Sequence, residues 1–489
     1  MSNRRGAMKI SLYLAALLCG VCAFAADGVR YKDRLFETSL PTTVTVAENV
    51  PFLDKSYYSE LTSLMDMFGV RPMFYMYSEE GVSYKSLEMD IYEPEDDDAE
   101  NRAMVLVCHG GAFVAGTKTS FDQKAVAYVD SLAARGFVTA SLEYRLGVLM
   151  SSKLQTFVID SVDFARTVYK SAQDVNAAIR YLRANAKALR IDTNKIYILG
   201  NSAGGLLGLE NIYALDEKDF PSYLYEGAQY IKTFSDEQSK YVYDTIPLGG
   251  LDRYGPKGVG GVANGVVSLW GAIHDASLLK NSKVPVFLAH GDSDYVIPYK
   301  VGYAMTEADK MIRDNVPSKY SSVVNVMHFD VHTPTLYGSY YIDSVLTKNK
   351  VYHEFYNPVG YGLKHEFYDA TRTGEDGNKI IFADSVKNKA FDFLYRLAIG
   401  KISETSELAI PRPAIAKAKS SKIAMGDGNL SFTVVRGKSV AYAMFDLKGK
   451  RVLSGRASLG ETVVLSRANN GVYYLRVQGE TPRRIVIRK

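Results

Sequence analysis

The stretch KIYILGNSAGG, residues 195–205, decides the fold of this chain. Its first five residues predict a buried strand, because all but the lysine are apolar or aromatic, and the residues after Gly204 favour a helix. The glycine-flanked segment between them fits a strand-to-helix turn so tight that side chains at positions 200 and 204 would collide. Such a turn exposes Ser202. By composition, a match of this kind arises by chance in about one such chain in five, so its placement carries the interpretation.

Strand-like and helix-like segments alternate on both sides of this stretch. A helix is predicted over 122–135, and a second one passes through Val175, Ile179 and Leu182, which recur at helical spacing. The alternation predicts an α/β domain whose mostly parallel central sheet has helices on both faces. The predicted strands are 103–108, 137–144, 195–199, 266–270, 284–289 and 351–355.

Two long segments, 213–260 and 306–341, interrupt the alternation. Loops of this length usually carry function or cover a site. Both contain tyrosines that could line an aromatic or sugar-stacking cleft, but aromatic residues in insertions more often pack the insertion itself, and we favour packing. These tyrosines are Tyr223, Tyr225, Tyr230, Tyr320 and Tyr337.

The length of 489 residues indicates more than one domain, since single cores stop growing near roughly 250 to 300 residues. We predict a signal peptide over 1–25, a catalytic domain over 26–401, and a linker over 402–420 with prolines, alanines and lysines. The remainder, 421–489, consists of short strand-like runs separated by turn residues, which predicts a small all-β sandwich.

The beginning of the chain has the features of a secretory signal: basic residues, an apolar run from Ile10 and an Ala-Phe-Ala cleavage site at 23–25. Cys19 and Cys22 would leave with it, so the mature chain keeps only Cys108 and forms no internal disulfide. A lipid-anchored cysteine is the rival interpretation, although the residues before either cysteine fit a lipoprotein signal poorly. No internal apolar run approaches the roughly 20 residues of a membrane helix.

Charge is unevenly distributed along the chain. The formal net charge is +4, but the segment from Lys422 onward carries 13 Lys or Arg against 4 Asp or Glu. The signal adds three positive charges, which leaves roughly −8 for residues 26–420. The basic residues of the tail alternate with strand-forming ones instead of clustering with stacking aromatics. We therefore interpret them as a solvated sheet face and expect no nucleic-acid partner.

The segment HGGAF, residues 109–113, follows the predicted strand at 103–108. An ester carbonyl needs a nucleophile, a base, and donors for the oxygen that becomes negative. A glycine-rich loop at this place supplies a backbone N–H to such an oxyanion hole. We predict the hole at the amides of Ala203 and Gly111, with Ala112 as a further donor, and expect His109 to stabilise the loop.

The segment HGDSDYVIP, residues 290–298, follows a late strand, which is where an acidic partner of the base should lie. Asp294 is the predicted acid. Asp292 is the alternative, but it is better placed to cap the turn.

The base should follow the last strand, and of the seven histidines only His353 and His365 lie that late. His353 falls inside the predicted strand, where its side chain would be packed, whereas His365 lies on the loop beyond. The candidates then occur along the chain in the order Ser202, Asp294, His365.

A further pair of histidines, His328 and His332, has a spacing that could bind a metal. The pair falls in the second long segment with no other cluster of ligands. We interpret both as incidental surface histidines and predict neither a metal nor a cofactor.

Together, HGGAF, the run SLEYRLG at 141–147, GNSAGG and HGDSDYVIP resemble bacterial carboxylesterases of the α/β-hydrolase superfamily. The resemblance covers roughly 80–400 and is greatest to feruloyl and acetylxylan esterases and relatives of hormone-sensitive lipase. It implies hydrolysis of short acyl or aryl esters without a cofactor. Two departures are Ala112, where many members have a third glycine, and the long insertion between Asp294 and His365.

The last domain is similar to the C-terminal sorting domain of the type IX secretion system. The similarity rests on MFDLKG at 444–449, NGVYYLRV at 470–477 and a basic final strand. It implies that the secretion machinery is a partner and that the protein is secreted or held at the cell surface.

The sequence thus predicts a secreted serine esterase, with a small ester or an acylated polysaccharide as substrate. Two rivals remain: a prolyl-oligopeptidase-like peptidase, which HGDSDYVIP also resembles, and a non-catalytic surface-binding protein that keeps the fold.

Overall fold

The computed structural model describes residues 28–487 except 57–75, 120–122, 149, 154–155, 236–239, 309, 311–327, 360, 366–370, 374–378, 403–421, 427–428, 434–438, 447–450, 459–460, 466–470 and 478–482. The chain divides into two units, Met1–Ala409 and Ile410–Lys489. The predicted signal peptide lies outside the described residues, as does the predicted linker apart from Ile402.

An eight-stranded sheet forms the centre of the first unit, in the order β1-β2-β4-β3-β5-β6-β7-β8. The strands from β4 across to β8 run parallel, whereas β1 and β2 are antiparallel to their neighbours. This is an α/β-hydrolase fold, and the predicted fold class is confirmed. The strands are β1 Thr42–Ser56, β2 Met76–Tyr92, β3 Arg102–Cys108, β4 Val138–Leu142, β5 Ile191–Asn201, β6 Val266–Leu269, β7 Val286–Ala289 and β8 His353–Tyr356.

Helices cover both faces of this sheet: α1 Gln123–Ala133, α2 Ser161–Ala184, α3 Ala203–Tyr213, α4 Ser339–Lys348 and α5 Phe382–Ala398. Strand β3 shows why, because alternate side chains of a strand point to opposite faces. Ala103, Val105 and Val107 pack in one apolar cluster with α1 and α5. The residues between them pack in a second cluster with α2, α3 and α4. A sheet that is apolar on both faces must be covered on both.

Helix α2 is longer than its apolar periodicity indicates. It begins at Ser161, where the carboxylate of Asp160 caps it by accepting the N–H groups of Val162 and Asp163. Polar residues in its middle are buried and interrupt the apolar pattern. Asp174 is one of them, because its carboxylate binds the buried guanidinium of Arg145 at 2.7 Å. The predicted strands differ from the observed ones by a few residues at their ends.

The two long segments contain structure of their own. The first contains the 3-10 turn Glu217–Asp219, the short helix Ser222–Tyr225 and a hairpin of Ala228–Ser235 with Lys240–Pro247. In the second, Leu336–Gly338 pairs with Ala272–Ile273 and with Val301–Gly302. The remaining small elements of this unit are Met150–Lys153, Thr156–Ile159, Ala276–Lys280, His328–Val331, Thr371–Thr373 and Lys379–Ile381.

The second unit is built from antiparallel strands in two sheets, in agreement with the predicted all-β character. Lys422–Gly426, Asn429–Thr433 and Thr462–Val464 form one sheet. Arg451–Ser458, Ser439–Asp446, Gly471–Val477 and Arg483–Ile487 form the other, in this order. The more detailed assignment as a sandwich with a sorting function stays a prediction.

Two further sequence expectations concern membranes and cysteine. Among the described residues, no helix combines the length and apolarity needed to cross a bilayer. Cys108 ends β3 as a buried free thiol, and burial raises its pKa to about 12. A thiol with such a pKa is inert at neutral pH.

Candidate active site

Ser202 lies between the end of β5 and the beginning of α3, in the turn that the sequence predicts. Its backbone has φ 55° and ψ −114°, a left-handed conformation that costs about 1–3 kcal/mol in a residue with a side chain. The Ser202 N–H donates to Leu269 O at the end of β6, at 2.9 Å. The strained turn is therefore held by the neighbouring strand and presents the hydroxyl at the carboxyl edge of the sheet.

The glycines around Ser202 are required by close backbone approaches. A Cβ on Gly200 would collide with the carbonyl of Gly204, and one on Gly204 would collide with the carbonyl of Cys108 at the end of β3. The beginning of α3 thus lies directly against the beginning of the loop at 109–113.

Backbone hydrogen bonds tie each strand end to the next across this edge. Trp270 N–H, after β6, donates to Ala289 O at 2.6 Å, and His290 N–H, after β7, donates to Tyr356 O at 3.3 Å. Ser293 N–H donates to Leu363 O at 3.0 Å, which links the loop of Asp294 to the loop of His365. The three predicted side chains are therefore held in register by the main chain.

The structure brings Ser202, His365 and Asp294 into one hydrogen-bonded chain. His365 Nε2 lies 2.8 Å from Ser202 Oγ, and His365 Nδ1 lies 2.7 Å from Asp294 Oδ2. Ser202 is 4% exposed, and the side chains of His365 and Asp294 are 13% and 0% exposed. The histidine can thus accept the serine proton at one nitrogen while the other donates to a carboxylate, which is the arrangement of an activated nucleophile.

Four donors surround the carboxylate of Asp294. Oδ1 accepts the N–H groups of Val296 and Ile297 at 2.8 and 3.0 Å, and His365 and His290 both approach Oδ2. Burial alone would raise the pKa of Asp294, but the attraction of His365 and hydrogen bonds from both imidazoles outweigh it and lower the pKa well below its ordinary value. The group is therefore ionised at neutral pH.

The alternatives weighed for the base and the metal lie elsewhere. His353 begins β8, and its imidazole contacts Val351 O and the carboxylate of Asp343, so it is packed and remote from Ser202. His332 is largely exposed and pairs with Asp330. Within the described part of the chain, no three His, Cys, Asp or Glu side chains cluster as metal ligands would.

The loop at 109–113 has an unusual backbone. Gly111, Ala112 and Phe113 have φ values of 118°, 52° and 62°, and the N–H groups of Val114 and Ala115 both donate to Gly111 O. No carbonyl among the described residues accepts the backbone N–H of Gly111 or Ala112. The N–H of Ala203, in the first turn of α3, has no acceptor within its helix. The geometry leaves these amides available, and their assignment to an oxyanion hole stays a prediction.

His109 supports this loop. Its ring stacks on Tyr144 with 4.2 Å between centroids, and Tyr144 Oη donates to His109 O at 2.7 Å. A Cβ on Gly116 would strike the imidazole, so the glycine makes room for it. The contacts are those of a packed residue, as expected.

Two neighbours of the site were not singled out by sequence. His290 contacts Asp294 Oδ2, the same oxygen that His365 contacts. The ring of Trp270 lies 6.4 Å from that of His365, edge on, and its Nε1–H donates to Asn201 Oδ1 beside Ser202. For His290 the signal was its place as the first residue of the HGDSD segment, directly after β7.

A cavity of about 560 Å³ lies along α3, one turn beyond Ser202, where Leu206 forms part of its wall. Phe220, Tyr223, Tyr337 and His274 also line it. Two of the tyrosines for which we favour packing thus border a cavity, because parts of both long segments line it together with Leu206 of α3. Tyr225 is half-buried, and Tyr320 lies outside the described residues.

His274 forms a second imidazole–carboxylate pair in this wall. Its Nδ1 lies 2.8 Å from Glu210 Oε2, its Nε2 lies 3.1 Å from Asp219 O, and its ring stacks on Phe220. Burial alone would lower the pKa of His274, but the attraction of Glu210 prevails and raises it to about 9.

Part of this chain is similar in sequence to known proteins. The family model described as BD-FAE matches residues 89–238, which contain Ser202 but neither Asp294 nor His365. Carboxylesterase 3B of Mus musculus is 31% identical over 127 residues, covering 26% of this chain and 20% of that protein. Carboxylesterase 3 of Homo sapiens is 32% identical over 125 residues, covering 25% and 20%. The chain thus spans about a fifth of these relatives.

Among solved structures, the thermophilic esterase Est2 of Thermogutta terrifontis with bound propionate is similar at 16% identity. It covers 68% of this chain and 96% of its own, with a TM-score of 0.35. The apo form of Thermogutta terrifontis esterase 2 gives 15% identity and a TM-score of 0.33, covering 68% and 97%.

Proposed function

We propose that this protein is a serine carboxylesterase that cleaves esters through an acyl-serine intermediate. The observation that carries the proposal is the hydrogen-bonded chain from Ser202 Oγ through His365 to Asp294, at the strained turn between β5 and α3. The similarity to carboxylesterases over a quarter of the chain supports it.

In the acylation step, Ser202 Oγ attacks the ester carbonyl while His365 Nε2 takes the hydroxyl proton. Asp294 stabilises the imidazolium that forms, because its carboxylate is ionised and already accepts the Nδ1–H. The amides of Ala203, Gly111 and Ala112 are the proposed donors to the tetrahedral oxyanion. His365 then returns the proton to the leaving alcohol, and the acyl group stays on Ser202.

In the deacylation step, water replaces the alcohol. His365 Nε2 removes a proton from the water, which attacks the acyl carbonyl, and the second tetrahedral intermediate releases the acid as Ser202 Oγ recovers its proton.

For the substrate, we propose an acetylated or feruloylated polysaccharide. The cavity beside α3 supports this, since its volume of about 560 Å³ exceeds the need of a simple acetate ester. Its tyrosines Tyr223 and Tyr337 offer rings on which a sugar or an aryl group can stack.

For the location, we propose export through the predicted signal at 1–25 and sorting by the type IX machinery through 421–489. The signal-like composition of the first segment and the MFDLKG and NGVYYLRV motifs of the last support this proposal. The test is to express the chain with and without 421–489 in a host that has the machinery, and to measure the enzyme in medium, surface and periplasm. Equal distribution of both forms would contradict it.

The activity is tested by assaying acetyl, butyryl, octanoyl and feruloyl esters on one preparation, with Ser202→Ala as the matched variant. We expect turnover by the parent, and a loss of at least about a thousandfold in the variant, because the acyl intermediate cannot form. A smaller loss on every ester would contradict the role of Ser202.

Two arms separate the rival functions. Faster cleavage of aminoacyl nitroanilides than of acyl nitrophenyl esters would favour a peptidase. Failure of a fluorophosphonate probe to label Ser202 in the folded parent would favour a non-catalytic binding protein.

A further inference from the structure

His290 approaches the acid of the site from its buried side. His290 directly follows β7 and is 0% exposed. His290 Nε2 lies 3.1 Å from Asp294 Oδ2 and 3.3 Å from Ile297 O. Because a carboxylate and a carbonyl oxygen can only accept, this nitrogen carries a hydrogen and faces both.

The other ring nitrogen of His290 also has a fixed partner. Nδ1 lies 2.9 Å from Ser339 Oγ, at the beginning of α4. Ser339 is itself 0% exposed, and its Oγ lies 3.5 Å from Gly271 O. A buried imidazole with an oxygen partner at each nitrogen has one ring orientation, so its Nε2 is aimed at Asp294 by contacts outside the catalytic chain.

Both imidazoles contact the same oxygen of Asp294. His365 Nδ1 lies 2.7 Å from Oδ2, and His290 Nε2 lies 3.1 Å from it. Meanwhile Oδ1 is held by the amides of Val296 and Ile297. The carboxylate cannot rotate without losing several of these bonds at once, and rotation would carry His365 away from Ser202.

We propose that His290 is a positioning residue for the reaction, which fixes Asp294 Oδ2 where it aligns His365 with Ser202, and that Ser339 fixes His290 in turn. The inference rests on the proposed function. The proposal also gives the second long segment a role. Ser339 follows the strand Leu336–Gly338 in that segment and holds His290 at Nδ1, the ring nitrogen that does not face Asp294.

Few titratable groups face His290 within the described part of the chain. Asp294 faces it at 3.1 Å, and the ring of Tyr299 lies edge-on at 5.7 Å. Burial raises the pKa of Tyr299 to about 12, so it is neutral wherever the enzyme is assayed. A change in pH profile on substituting His290 therefore reports on Asp294 and its partner His365.

The test compares His290→Leu, which removes the donor, with His290→Gln, whose side-chain amide can still donate to Oδ2. We expect kcat to fall about 10- to 100-fold in the leucine variant with KM within about 2-fold, and to recover at least in part in the glutamine variant. His353→Leu is the matched control, because His353 Nε2 also lies 3.1 Å from a carboxylate, that of Asp343. It should keep the parental kcat.

The pH profile adds a readout that a merely structural role would not move. With one donor lost, Oδ2 becomes more basic and holds protonated His365 more strongly. The acidic limb of kcat/KM should then shift to higher pH in His290→Leu and not in His353→Leu. Parental kcat and profile in His290→Leu, or equal losses in the leucine and glutamine variants with unshifted profiles, would overturn the inference.

The rate of Ser202 labelling by a fluorophosphonate separates this inference from the proposed function, since labelling needs the base but no ester substrate. A parent that is labelled but cleaves no ester would end the proposed function, and His290→Leu should still be labelled more slowly. If His290→Leu does not fold, Ser339→Ala tests the same chain of contacts from Ser339 through His290 to Asp294. A several-fold slower labelling rate supports the inference, and the parental rate overturns it.

Discussion

Helix α3 has an imidazole–carboxylate pair near each of its ends. Near the beginning, His365 and Asp294 meet at 2.7 Å, and near the end His274 and Glu210 meet at 2.8 Å. The two pairs differ at the remaining nitrogen. His365 Nε2 faces the hydroxyl of Ser202, whereas His274 Nε2 faces the carbonyl of Asp219, which can only accept.

The difference shows that a short distance to a carboxylate does not make a base. His274 needs a proton on each nitrogen to satisfy both acceptors, and its raised pKa of about 9 agrees with a cation at neutral pH. His365 keeps a lone pair for the serine proton. The pair of His274 and Glu210 is built to hold a proton, and the pair of His365 and Asp294 is built to move one.

The largest expected effect separates the two histidines by activity. We expect His365→Ala to lower kcat by roughly ten-thousandfold, because it removes the base. We expect His274→Ala to lower kcat by less than about tenfold when the rate is divided by the concentration of active sites measured by titration. His353→Ala, at a packed histidine of similar position in the chain, is the control and should resemble the parent. Equal losses in His365→Ala and His353→Ala would mean that the base is wrongly chosen.

The second effect concerns the two carboxylates. In Asp294→Asn, an amide N–H₂ in place of Oδ2 would force the wrong tautomer on His365, so kcat should fall about a thousandfold or more. Glu210→Gln should change kcat by only a few-fold per titrated site while it lowers the melting temperature, since Glu210 is fully buried. Comparable kcat losses in both variants would break the distinction.

The smallest effect is on stability against pH. The folded pKa of His274, about 9, lies above its ordinary 6.5, so the pair stabilises the fold fully below pH 6.5 and loses this contribution as the pH rises through 9. The contribution amounts to roughly 3 kcal/mol. Urea unfolding of the parent and His274→Gln should differ by about that much near pH 6 and by little near pH 10. A difference that does not change with pH would contradict the cationic state.

The sequence predicted the parts of this site that follow from chain order. Ser202, Asp294 and His365 each lie on the segment that follows a parallel strand, namely β5, β7 and β8, and parallel strands end at one edge of the sheet, so residues far apart in the chain meet there. The structure brings these three together. The glycines at 200 and 204 are also predictable from the sequence, because a close approach of two backbones requires glycine in any chain.

The remaining contacts of the site depend on which distant segments fold back against it, and no local sequence pattern predicts this. His290 and Ser339 are 49 residues apart, and their contact depends on the second long segment returning through Leu336–Gly338, which pairs with Ala272–Ile273 and Val301–Gly302. The beginning of α2 was missed for a related reason. Buried Asp174 is satisfied by Arg145 from another loop, so a polar residue occupies a position where periodicity requires an apolar one.

The chain has a single tryptophan, and it is Trp270, beside His365 and bonded to the neighbour of Ser202. Its intrinsic fluorescence therefore comes from one buried point next to the reacting atoms, with no second indole to obscure it. Formation and loss of an acyl group on the serine could be followed by emission alone, on the unmodified protein and with any colourless ester.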